Sequence, residues 1–166
     1  MDVLNLADMF FQKRKSHASH VGYMYKKDER WHSVTFEEAV NKAEKIAAGL
    51  ASLGIKKGDT IALMSANCLE WALTDYASLS LGAVLVPLYP TLLAHQAQYI
   101  INDCEAKIVI VSNESQVEKI NAVKLTLKSV KHFFIFEAES LAFSDDWKDF
   151  NSLALLGIAN NIRCGA

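Results

Sequence analysis

The sequence predicts an α/β fold: a parallel sheet of βα repeats with flanking helices, preceded by a β-hairpin. Two observations carry this prediction. Four apolar, β-prone runs begin at Thr60 (TIALM), Val84 (VLVPL), Ile108 (IVIV) and His132 (HFFIF), each 24 residues after the one before. The segments between them have helical periodicity, and strand–helix–strand alternation with short loops implies crossovers and a parallel sheet. Because the runs do not alternate polar with apolar residues, strands buried on both faces are expected. A length of 166 residues suits one domain. Its expected parts are an N-terminal helix over 3–15, a hairpin over 21–34, an α/β core over 35–136 and an irregular tail over 137–166.

The first helix is expected from Leu6, Met9 and Phe10 on one face, with Lys13, Arg14 and Lys15 in the last turn, where cations suit the helix dipole. Val21 to Lys26 and Arg30 to Val34 read as two strands around the polar turn Lys27-Asp28-Glu29. Thr35 and Glu38 form a capping box that opens a helix near 35–53. That helix carries Phe36, Val40, Ala43, Ala47 and Leu50 on one apolar face and stops at Gly54. Glu38 and Lys42 form an i,i+4 pair on it. Asn67 and Glu70 suggest a second box, for a helix near 68–81 that stops at Gly82. Thr91 reads as the cap of a helix near 92–104 with Leu93, Ala97, Ile100, Ile101 and Cys104 on one face. Ser115 and Glu118 suggest a box for a helix near 115–128 carrying Val117, Ile120, Val123 and Leu127. Pro87 lies inside the second run. Having no N–H to donate, it belongs at a strand end or where that donor is not needed. Trp147, Phe150 and Leu153 to Ile158 suggest a last helix.

Composition excludes several classes. Hydrophobic residues make up 51% and charged residues 22%, so the chain can bury a core and is not disordered. Lys plus Arg is 17 against 19 for Asp plus Glu, so no basic excess is available for nucleic acid. The three cysteines, Cys68, Cys104 and Cys164, form no C-x-x-C, which suits a reducing, cytoplasmic setting. The N-terminus lacks the pattern of a signal peptide, and the longest nearly apolar stretch, 77–89, is too short for an integral membrane segment.

Chemistry read from spacing alone stays general. Gly54-Ile55-Lys56-Lys57-Gly58-Asp59-Thr60 leaves a helix and opens a strand, the reverse of a phosphate loop, and reads as a helix stop plus turn. Ser65 has no G-x-S-x-G around it. His95 reads as a surface histidine. The five histidines show no metal-ligand spacing, so no metal site is expected, and no residue is assigned a catalytic role.

An ordered series of motifs is more specific. Thr35-Phe36-x-Glu38 and Ala47-x-Gly49-Leu50 precede Gly54-x-x-x-Gly58-Asp59-Thr60-x-Ala62 and Asn67-x-x-Glu70-Trp71. Gly82-Ala83-Val84-x-Val86-Pro87-Leu88-Tyr89-Pro90-Thr91 and Ile100-Ile101-x-Asp103-Cys104-x-Ala106-Lys107 follow. The series closely resembles the N-terminal region of adenylate-forming enzymes, which include acyl-CoA synthetases, over about residues 21–112. Pro87-Leu88-Tyr89-Pro90-Thr91 with Glu70-Trp71 looks most like the long-chain fatty acid–CoA ligases.

The resemblance implies a partial N-terminal subdomain of the adenylate-forming fold. It also implies a chemistry in which an acid and ATP give an acyl-adenylate, which coenzyme A converts to a thioester, with Mg²⁺ offsetting phosphate charge. ATP, Mg²⁺ and coenzyme A are therefore implied for an intact enzyme. The Ser/Thr/Gly-rich phosphate loop is not visible here, since no glycine lies between Gly82 and Gly157, and neither is the family's C-terminal lysine region. The expectation is an N-terminal fragment, inactive alone, whose partner is the remainder of the synthetase and whose uncovered surfaces self-associate. The intact enzyme would be cytoplasmic, with peripheral membrane association as a variant of that reading. A stand-alone α/β small-ligand or protein-interaction module is the alternative, and a downstream reading frame encoding the phosphate loop would decide between them. Tyr89 and Thr91, beyond the second run, are the expected substrate-facing residues, because ligands in parallel sheets collect at the carboxyl ends of strands.

Overall fold

The computed structural model describes residues 4–137 and 146–159. Helix α1 (Leu6–His17) leads into the hairpin β1 (Val21–Lys27) and β2 (Arg30–Thr35), followed by α2 (Phe36–Ser52), β3 (Thr60–Met64), α3 (Leu69–Ser80), β4 (Val84–Leu88), α4 (Ala94–Asp103) and β5 (Ile108–Val111). Helix α5 (Glu114–Asn121), a 3₁₀ turn (Lys124–Thr126), β6 (His132–Ile135), β7 (Trp147–Asp149) and α6 (Ser152–Ala159) complete the order. The runs spaced 24 residues apart are the parallel strands β3 to β6, in a five-stranded sheet of order β4-β3-β5-β6-β7.

This order dictates where the helices lie. The chain steps from β3 to β4 and then returns across β3 to β5, so right-handed crossovers must place α3 and α4 on opposite faces. Accordingly, one core joins α2, α3 and α6 to Ile61, Leu63, Ile108, Ile110 and Phe134. The other joins α4 and α5 to Ala62, Met64, Val109, Val111 and Ile135. Strands β3, β5 and β6 are buried on both faces as expected, but β4 is not. It is the sheet's edge, and Val84 is 49% exposed. The edge position accounts for Pro87. The Val84 N–H donates to Asp59 O at 2.8 Å, so alternate residues Val86 and Leu88 also face β3 while Leu85 and Pro87 face outward. The missing proline donor therefore costs the ladder nothing.

Several local expectations are met and several corrected. The Thr35–Glu38 box closes, with Thr35 N–H donating to Glu38 Oε2 at 2.8 Å and Glu38 N–H to Thr35 Oγ1 at 3.2 Å. Helix α1 is capped by Asn5 and buries Ala7 and Phe10, leaving Leu6 and Met9 largely outside. Phe10 instead stacks on Tyr76 at 4.0 Å between centroids. Cys68, not Asn67, caps α3, and Asn113 with Gln116, not Ser115 with Glu118, opens α5. Helix α5 ends at Asn121, seven residues before the expected 128, and the 3₁₀ turn then tucks Leu127 into the core. Helix α4 begins at Ala94, so Thr91 lies before the helix and is not its cap. The Leu93 N–H is satisfied by Gln96 Oε1 at 2.9 Å. The stretch expected to be irregular after 137 contains β7 and α6, and Trp147 belongs to β7, not to the last helix. The expected tail 160–166 and the segment 138–145 lie outside the described residues.

Helices α2, α3 and α4 end alike. The N–H groups of Ile55, Ala83 and Ala106 reach back to Leu50, Ser78 and Ile101 carbonyls at 3.2, 3.0 and 3.1 Å, each from a buried residue. This is the Schellman arrangement, which needs a left-handed residue just before. Gly54 and Gly82 supply it for the first two, and Glu105, at φ 52, for the third. The α2–β3 loop is then tied to β5. Asp59 accepts Lys107 Nζ at 2.6 Å and the Lys56 N–H at 2.9 Å, and these two bonds, the lysine first, hold its carboxyl below the usual range. Gly49 marks the tightest packing. A Cβ there would lie 2.1 Å from Leu153 O, a backbone atom of α6.

Two stability changes of opposite sign are expected. Gly49→Ala raises helix propensity but forces α6 off α2, and should lower the free energy of unfolding in urea by about 1–3 kcal/mol. Glu105→Gly relieves the left-handed glutamate and should raise it by about 0.5–1 kcal/mol.

Candidate functional site

Strand β3 is followed by α3 on one face of the sheet and β5 by α5 on the other. Their carboxyl ends therefore diverge at the point where strand order reverses, the place where open parallel sheets bind ligands. A crevice of about 800 Å³ lies there, within the range of small-molecule sites, ~300–1,000 Å³. Its floor is Ser65–Glu70 after β3, Ser112 and Asn113 after β5, and Phe136 and Glu137 after β6, and its far wall is the hairpin, Tyr23–Lys27 with Trp31.

Hydrogen bonds that shape the loops already engage several polar groups of the floor. Ser65 Oγ donates to Ala66 O at 2.7 Å, and Ser112 Oγ to Gln116 Oε1 at 2.9 Å. Asn113 Oδ1 accepts the Ser115 N–H at 3.1 Å. Cys68 Sγ accepts the Trp71 N–H at 3.4 Å and lies 3.8 Å from Ser65 Oγ. Although Cys68 is exposed as a residue, its sulfur is tucked into this turn, and burial pushes the thiol above its ordinary range despite the helix N-terminus. Ser65 is thus a loop-shaping hydroxyl. Under the hairpin, burial also pushes up the Tyr23 hydroxyl and the Asp75 carboxyl.

Tyr89 and Thr91 lie at the same end of the sheet but beyond its edge strand. Tyr89 is 79% exposed, Thr91 is exposed, and neither lines the crevice. Their loop is held by Lys119, whose Nζ donates to Pro90 O at 2.6 Å. His95 is exposed on α4. The crevice residues escaped the sequence reading because equal 24-residue spacing fits a sheet in chain order as well as one that reverses at β3. Only the strand order reveals the switch point.

The AMP-binding enzyme family matches residues 10–154. The chain belongs to this family. It is 36% identical over 116 residues to the long-chain-fatty-acid–CoA ligase FadD15 of Mycobacterium bovis, covering 70% of this chain and 19% of that protein. It is 25% identical over 154 residues to the long-chain-fatty-acid–CoA ligase ACSBG2 of Mus musculus, 90% of this chain and 23% of that one. The chain thus spans about a fifth of the length of these curated relatives. Among solved structures, an anthranilate CoA ligase, AuaEII, bound to anthranoyl-AMP, superposes with TM-score 0.81 at 18% identity, over 100% of this chain and 30% of that one. A long-chain-fatty-acid–CoA ligase from Archaeoglobus fulgidus gives 0.78 at 19% identity, over 94% and 30%. At these identities the superpositions establish the shared fold.

The Ser65 and Ser112 hydroxyls are engaged in turns and caps, and among the described residues no three His, Cys, Asp or Glu side chains converge on a metal position. The Cys68 thiol yields a direct check. Site-resolved alkylation followed by mass spectrometry should show Cys68 reacting more slowly than free cysteine at pH 8, with the midpoint of its pH–rate curve above the ordinary thiol range of about 8.5.

Proposed function

We propose that this chain is the N-terminal part of an ATP-dependent acyl-CoA synthetase acting on long-chain fatty acids, and that by itself it does not catalyse. The observation that supports this most is the family match across residues 10–154 by a chain that spans about a fifth of the ligases it resembles. Activation of a carboxylate by ATP needs donors around the phosphates and a cation near the developing charge. In this reading those come from the remainder of the synthetase, its partner. The present residues build the sheet, with its carboxyl ends turned toward the shared centre, and no step of the reaction is assigned to them. Tyr89 and Thr91 are proposed to approach substrate from the β4–α4 loop, because both stand exposed at that end of the sheet. No helix among the described residues is long and apolar enough to cross a membrane, and a cytoplasmic enzyme is proposed. Val84, Tyr89, Leu93 and Tyr99 leave apolar area uncovered along β4 and α4, so self-association of the chain at high concentration belongs to the same reading.

The test is a chimera in which residues 10–154 replace the matching segment of the mycobacterial ligase. The chimera should form acyl-CoA from long-chain acids, whereas the isolated chain should show no acid-dependent exchange of pyrophosphate into ATP. A folded chimera without acyl-CoA formation would overturn the family role, and exchange by the isolated chain would overturn its inactivity. Within the chimera, Tyr89→Ala and Thr91→Ala should raise KM for the acid or ATP. Unchanged constants in folded enzyme would assign the loop a packing role only.

A further inference from the structure

Lys119 stands half-buried on α5, and fixing so long a side chain in one place costs more rotamer freedom than most residues would lose. Lysines drawn out of water are usually paired with a carboxylate, yet among the described residues Lys119 takes part in none of the ion pairs. Its Nζ donates instead to a neutral acceptor 29 positions away, Pro90 O, at 2.6 Å. The charge on the donor makes this bond stronger than one between neutral groups. The acceptor lies between Tyr89 and Thr91. The loop's own bond, from the Leu92 N–H to Tyr89 O at 3.1 Å, closes a turn within it and fastens it to no other element. Pro90 itself has no N–H to contribute.

The helix that carries Lys119 also carries part of the crevice. One turn earlier on α5, Gln116 is 6% exposed, and its Oε1 accepts from Ser112 Oγ at 2.9 Å and from the Asn113 N–H at 3.2 Å. Ser112 and Asn113 belong to the crevice floor. Residues three apart on a helix lie on the same side of it. One helix therefore holds the floor through Gln116 and the outlying loop through Lys119, although β4 and β5 are not neighbours in the sheet.

We propose that Lys119 is a positioning residue: it sets the Tyr89–Thr91 loop relative to the crevice floor, so that α5 places both parts of the site at once. The inference rests on the reading that Tyr89 and Thr91 approach substrate in an acyl-CoA synthetase. The lysine acts through the loop and not on the substrate. Binding and turnover are sensitive to misplacement on the order of 1 Å, and an exposed loop beyond an edge strand does not hold that tolerance unaided.

The tie is tested first in the chain itself. Lys119→Met keeps the apolar stem and removes the charge and its donors. The Leu92 amide should then exchange about 10-fold faster, while the amides of β5 keep their protection. Lys119→Arg should restore the slow rate. The role is tested in the chimera. There Lys119→Met should raise KM by about 3–10-fold for the same substrate as Tyr89→Ala or Thr91→Ala does, with kcat held, and Lys119→Arg should bring it back. Added to a variant that already carries both alanines, Lys119→Met should change KM little, because no side chain is left to place. Unchanged Leu92 exchange, or an unchanged KM where the alanine variants raise it, would overturn the positioning role and leave the proposed function standing. Effects that multiply instead of overlapping would give Lys119 a substrate contact of its own, and would overturn it too. An active chimera indifferent to both alanines would reduce the loop to packing, and the positioning role falls with it. A folded but inactive chimera would overturn the proposed function and this inference together.

Discussion

The burial of β3 on both faces and along both edges is the constraint from which the rest of the architecture follows. Ile61, Ala62, Leu63 and Met64 are each at most 1% exposed, and the strand pairs with β4 on one side and β5 on the other. A parallel strand flanked this way needs crossovers that diverge to opposite faces. That divergence fixes α3 and α4, fills two separate cores, and opens the crevice where β3 and β5 end. The hairpin and α2 are then positioned by contact with the first of these cores.

The family signature is mostly a description of this scaffold. Thr35 and Glu38 cap α2, Gly49 admits the α6 backbone, and Gly54 and Gly82 close Schellman turns. Asp59 ties a loop to Lys107, and the Thr60 hydroxyl donates to Cys104 O at 2.6 Å. Many of these residues sit at the amino end of the sheet, opposite the crevice. Sequence patterns shared by adenylate-forming enzymes here record how the sheet is held, and they identify a lineage without locating chemistry.

This explains what could be read from the residues and what could not. The four parallel strands were legible because apolar runs of even spacing have few alternatives, and α2 because its box and glycine stop are local. The end of α4 was harder to see, because Glu105 occupies a position where glycine is the usual signal, and the caps at Cys68 and Leu93 use residues that seldom serve there. The short α5 gave no warning, since Val123 and Leu127 continue the helical spacing while the backbone tightens into a 3₁₀ turn. The crevice depends on strand order, a property of tertiary pairing.

Pro87 has a consequence for the order in which the molecule can be assembled during synthesis. In chain order β3 and β4 emerge before β5 does, and domains begin to fold as they emerge. At that stage the β3–β4 pair has two open sides. On the β4 side the ring nitrogen of Pro87 occupies an outward position and offers no hydrogen to a newcomer, while β3 still presents a full row of donors and acceptors. The flank left fully open to pairing is thus the one that β5 fills in the finished sheet, and β4 offers a neighbouring chain a poor template. One imino acid thus makes the two flanks of the growing sheet unequal.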